Sequence, residues 1–89
     1  MPRYYANRAD RKLEGLIKRN ERLLSEEPTP KNIERSDKAG EELSEYALKG
    51  ATKKQADKYA EISGTFKDPS DLSDYARKIV AENRRKGRR

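Results

Sequence analysis

Asp68-Pro69-Ser70-Asp71-Leu72-Ser73-Asp74-Tyr75-Ala76-Arg77-Lys78-Ile79-Val80 decides the fold class. Aspartate before proline reads as a helix start: the carboxylate caps free backbone N–H groups, and proline at the first helical position has no N–H to lose. Leu72, Tyr75, Ala76, Ile79 and Val80 then recur at helical spacing,. Asp71 and Asp74 lie toward the positive end of the helix dipole and Arg77 and Lys78 toward the negative end,. A helix over about 69–83 follows.

Working back from there, Thr52 with Gln55 three residues on forms a capping box for a helix over about 52–63,. Its inward face is expected from Ala56, Tyr59, Ala60 and Ile62, with Gly64 as its stop,. Thr29-Pro30 opens another helix, about 30–49, ending at a left-handed Gly50,. Its stripe is thin: Ile33, Ala39 or Gly40, Leu43, Tyr46 and Ala47. Glu26-Glu27-Pro28-Thr29-Pro30 interrupts the chain before it, because proline removes a donor and restricts its predecessor,. A first helix, about 7–25, carries Leu13, Leu16, Ile17, Leu23 and Leu24, with Gly15 on its polar side at a cost of about 1 kcal/mol relative to alanine,. Residues 1–6 read as an extended lead-in and 84–89 as a basic, flexible tail. No segment alternates like a strand. The expected fold is all-α: a small bundle of three to four short helices, one domain over 7–83.

The core must be thin. Leu, Ile, Val and Phe make up 13 of 89 residues and 43% of the chain is charged, a balance that borders on disorder. Nine alanines, five tyrosines and strong helix propensity act against that,. Either a thin-cored helical domain or a chain ordered by a partner satisfies this composition. With neither cysteine nor histidine, there is no disulfide framework, no thiolate or imidazole metal ligand and no Ser–His or Cys–His nucleophile pair. No phosphate loop or dinucleotide glycine pattern is present, and no apolar run is long enough for a membrane span or signal core. Glu41 and Glu45 lie one turn apart and could share a hard cation, but a solvated face explains them as well,. The expectation is a non-catalytic protein without cofactor or metal, in the cytoplasm or wherever its nucleic acid lies.

Three patterns suggest contacts. Leu43-Ser44-Glu45-Tyr46-Ala47 echoes Leu72-Ser73-Asp74-Tyr75-Ala76, a spacing that inward packing explains without a repeat fold. Leu13, Leu16, Asn20 and Leu23 trace a short heptad in which Asn20 would fix the register of a homodimer,. The Gly50-Ala51 turn before Thr52-Lys53-Lys54-Gln55 has the layout of a helix-turn-helix, although Glu41, Glu42 and Glu45 beside it would repel phosphates,.

Charge carries the functional expectation. Residues 1–24 have a net charge of +4, 25–76 of −4 and 77–89 of +6. Basic ends around an acidic middle point to a polyanion. DNA or RNA would be held by Arg84, Arg85, Lys86, Arg88 and Arg89, with Arg3, Arg8, Arg11 and Lys12 as a second contact and Tyr4 and Tyr5 stacking on unpaired bases,. The alternative is a regulatory adaptor or inhibitor docking its helical faces on an acidic protein surface.

Overall fold

The computed structural model describes the backbone of residues 2–65 and 68–89 and the side chains of 11–65 and 68–89. Among these residues the chain is all-α, with four helices and no strand: α1 (Pro2–Ser25), α2 (Pro30–Ala47), α3 (Lys53–Thr65) and α4 (Pro69–Arg85). No helix among them is long and apolar enough to cross a membrane.

The helix starts follow the capping chemistry. Thr29 Oγ1 accepts from the Asn32 backbone N–H at 3.2 Å. Thr52 and Gln55 form the full reciprocal box: the Thr52 N–H donates to Gln55 Oε1 at 3.0 Å, and the Gln55 N–H to Thr52 Oγ1 at 3.2 Å,. Asp68, extended at φ −152° and ψ 118°, accepts from the Ser70 N–H at 3.0 Å. That bond holds the Asp68 carboxyl below its ordinary range, since the backbone donor favours the ionised form,.

The ends differ from expectation in four places. α1 begins at Pro2, not Asn7, so the expected lead-in is helical from there; proline is suited to a first helical position and no breaker follows it. α2 stops at Ala47, and residues 48–50 make a turn closed by Ala51 N–H to Leu48 carbonyl at 2.9 Å with Gly50 at φ +75°. Gly64 does not end α3, which runs on to Thr65, whose hydroxyl donates to the Ile62 carbonyl at 2.9 Å. α4 continues through Arg85 because its stop is Gly87, at φ +73°.

The chain gathers into two units, Met1–Ser44 and Glu45–Arg89, the break falling inside α2. In the first, Leu13, Ile17, Asn20 and Leu23 of α1 and Ala39 and Leu43 of α2 are buried. Gly40 meets Asn20: a β-carbon there would lie 3.5 Å from Asn20 Oδ1. Arg19 and Glu42 pair across the same two helices, both half-exposed, so their pairing contributes little. Ile33, expected on the inward stripe of α2, is instead 47% exposed. It borders a shallow notch with Leu23, Leu24 and Pro28.

The second unit packs α3 against α4 and includes the last turn of α2. Its buried positions are Ala47, Gln55, Tyr59, Ser73, Ala76, Ile79, Val80 and Asn83. On α4 the stripe is therefore turned about one residue from the one expected, with Ser73 buried and Leu72 and Tyr75 only half-buried. Small Ser73 and Ala76 suit close helix approach, and the Ser73 hydroxyl is satisfied by the Pro69 carbonyl at 3.1 Å,. On α3, Gln55 and Tyr59 take the buried face while Ala60 is exposed. Tyr59 is buried to 4% exposure and its hydroxyl has no hydrogen-bond partner among the described residues. Burial pushes its phenol up to about 12,.

Candidate nucleic-acid interface

The stretch expected to be a free basic tail is built into the second unit. α4 ends in a Schellman motif: Gly87 N–H donates to the Arg84 carbonyl at 3.1 Å and Arg88 N–H to the Asn83 carbonyl at 2.8 Å,. Positive φ at Gly87 is what lets the chain turn back,. Arg88 Nε then donates to Asn83 Oδ1 at 3.0 Å. The Arg88 backbone lies so close to Gly50 that a β-carbon there would collide with the Arg88 carbonyl. Arg89 reaches the end of α2, donating to the carbonyls of Tyr46 at 2.6 Å and Lys49 at 3.1 Å. The Tyr46 carbonyl is one that a helix end leaves without an intrahelical partner, and Lys49 lies in the turn that follows,. The flexible tail is therefore corrected: the glycine, the asparagine and the open helix end give its residues fixed partners.

The turn-back places cations around a groove of about 390 Å³ between α3 and α4. Lys54 and Lys58 come from α3, Lys78 and Lys86 from α4 and its cap, and Arg88 from the returning chain. Tyr75, Ile79 and Gln55 supply its less polar lining, and Glu82 is its one carboxylate. Lys54, Lys58, Lys78 and Lys86 are exposed. Lys54, Lys58 and Lys78 have no carboxylate partner among the described residues. Glu82, in contrast, is shared, accepting from Gln55 Nε2 at 3.4 Å and lying 3.9 Å from Lys86 Nζ and 3.8 Å from Arg88. Burial, and after it the nearby Glu82 charge, raises the Tyr75 phenol above its ordinary value, so the ring meets a ligand uncharged at neutral pH.

Such an arrangement suits an anion. Five cations facing one carboxylate repel each other, and a polyanion that enters relieves the repulsion,. Lysine ammonium groups are hydrated point charges on flexible stems; they grip phosphate without the planar geometry an arginine fork demands. Among the described residues no group of three acidic side chains is gathered as a metal would need.

The expected contact residues part ways in the structure. Lys86 and Arg88 line the groove, Arg85 is exposed on α4, Arg84 is half-buried, and Arg89 is engaged by α2. Arg11 and Lys12 are exposed on α1 in the other unit. The side chains of Arg3, Tyr4, Tyr5 and Arg8 lie outside the described residues. Leu13, Asn20 and Leu23, expected at a homodimer seam, are buried within the single chain and Leu16 is half-buried. Sequence reasoning placed Lys54 only at the start of a possible helix-turn-helix and did not single out Lys58, Tyr75, Lys78 or Glu82 as binding residues. Their signal was spacing: Tyr75, Lys78, Glu82 and Lys86 share one face of α4, and Lys54 and Lys58 one face of α3,. No family model, curated protein or solved structure matches this chain.

Proposed function

We propose that the chain is a small, non-catalytic nucleic-acid-binding accessory protein that holds the phosphate backbone of DNA or RNA in the groove of its second unit. The observation that carries this is the convergence of Lys54, Lys58, Lys78, Lys86 and Arg88 on one groove with a single opposing carboxylate. Arg85 is exposed in the same unit, and Arg11 and Lys12 are exposed in the other. Docking on a protein has less support, because Ile33 is the one large apolar side chain exposed among the described residues, and isolated exposed apolar residues are ordinary.

The test is binding of mixed-sequence DNA and RNA oligonucleotides between 50 and 200 mM salt, for the native chain and for Lys54→Gln/Lys58→Gln/Lys78→Gln. Each phosphate contact contributes about 0.7–0.9 to the slope of log affinity against log salt. The triple variant therefore loses roughly 2 units of slope with its fold intact, since all three side chains are exposed,. An equal slope for both proteins, or no binding by the native chain, refutes the reading. Deleting 84–89 is the wrong experiment, because it also removes the Schellman closure and the cap on α2.

A further inference from the structure

A groove lined only with charge would treat every polyanion alike. This one also carries a half-buried aromatic ring, Tyr75, among its lysines. Its volume of about 390 Å³ is that of a cleft for one small organic group, within the roughly 300–1,000 Å³ typical of ligand sites. In a duplex the base faces are stacked inside, so a bound duplex offers the groove phosphate and sugar and leaves the ring bare. A single strand can turn a base inward. Cationic grooves that track a backbone while aromatic rings take base faces are the recurring solution for unpaired strands.

We infer that the α3–α4 groove binds single-stranded nucleic acid, with one base against the half-buried Tyr75 ring and the flanking phosphates on Lys54, Lys58 and Lys78. This rests on the nucleic-acid reading above and narrows its substrate. The spacing along α4 suits such a strand. Tyr75 and Lys78 lie three residues apart on one face, so a base and its neighbouring phosphate are met by adjacent side chains,. Glu82, a turn or two further along, is already shared by Gln55, Lys86 and Arg88. That leaves Lys54, Lys58 and Lys78 as the lining cations with no carboxylate partner among the described residues. The uncharged ring accepts any base, so weak sequence preference follows.

The experiment compares four fluorescent or competing probes on the full 89-residue chain at fixed salt: a twelve-nucleotide single strand, its duplex, the same strand with abasic sugars, and polyglutamate. The single strand is expected to bind more tightly than the other three, by about five- to a hundredfold over the abasic strand, the range of one stacked base. Tyr75→Ala removes that advantage, Tyr75→Phe keeps it, and neither changes duplex binding. The abasic comparison uses the native protein and so does not depend on how any variant folds. Equal affinity for the single strand and the abasic strand or polyglutamate overturns the inference. So does tighter duplex binding. If those probes still bind with a salt slope that Lys54→Gln/Lys58→Gln/Lys78→Gln reduces, the nucleic-acid reading stands without it. If no nucleic acid binds, both fall.

Discussion

The guanidinium of Arg89 lies over the ring of Tyr46, 4.5 Å from its centroid, while donating to that residue's own carbonyl at 2.6 Å. One side chain thus satisfies a helix-end acceptor, opposes the negative end of the α2 dipole and covers an aromatic face. Arg89→Ala is expected to destabilise the protein by about 1–2 kcal/mol, the range for a charged hydrogen bond with a partly exposed cation–π contact. Arg89→Lys recovers only part of it: the Tyr46 and Lys49 carbonyls both accept from Nη1, which an ammonium can replace, but lysine lacks the planar guanidinium that lies over the Tyr46 ring,. Urea unfolding measures the loss. A phosphate-contacting Arg89 would instead show lower affinity at unchanged stability.

Three glycines should respond differently to alanine. Gly50 combines positive φ with a collision against the Arg88 carbonyl, so Gly50→Ala costs about 2 kcal/mol or more, the left-handed penalty plus displacement of the returning chain. Gly87 has positive φ but open space, and Gly87→Ala costs about 1 kcal/mol. Gly15 lies exposed within α1 with nothing near its β-position, and Gly15→Ala adds up to about 1 kcal/mol. Midpoints of thermal unfolding should therefore be lowest for Gly50→Ala, higher for Gly87→Ala and highest for Gly15→Ala, the last above the native chain.

Tyr59 makes stability depend on alkaline pH. Its phenol is pushed up to about 12 in the folded chain against an ordinary value near 10,. The folded state therefore holds a proton that the unfolded chain releases, and stability falls as pH rises from about 10 toward 12. The loss is on the order of 2 kcal/mol by the upper end. Tyr59→Phe removes both this dependence and a buried hydroxyl with no partner among the described residues. At neutral pH that variant should be as stable as the native chain or slightly more so. The gap between the two proteins, read by denaturant midpoint at pH 8 and pH 11, should widen in favour of phenylalanine. A constant gap would mean that the phenol reaches solvent.

The helices were legible because caps and spacing are local. The box at Thr52 and Gln55, the Thr29-Pro30 start and the Asp68-Pro69 start follow from side chains within three residues of the atoms they bind,. The site was less legible because its charges come from stretches that linear sums oppose. Lys54 and Lys58 belong to the segment with a net charge of −4, yet α3 turns them toward Lys78 and Lys86 while the nearby acids of that segment lie outside the groove lining. The basic stretch 84–89 misled in the other direction. Gly87 and Asn83 are what dock it, and a glycine among arginines reads as flexible until the carbonyl that it brings Arg88 against is known.

Glu82 provides the last discriminating change. Its carboxylate sits among Gln55, Lys86 and Arg88, in the position a bound phosphate would contest. Glu82→Gln keeps the size of the side chain and an acceptor for Gln55, and removes the charge. Surface ion pairs of this kind are worth about 0.2–1 kcal/mol, so stability should fall by less than about 1 kcal/mol while Lys86 and Arg88 become available. Affinity for a single-stranded oligonucleotide should rise about two- to fivefold at 50 mM salt, with the slope against salt steeper by up to about 0.7. At 200 mM the gain should shrink, as counterions take over the role the carboxylate had. Unchanged affinity at both salts would mean that Lys86 and Arg88 do not face the strand, leaving Lys54, Lys58 and Lys78 as the contacts.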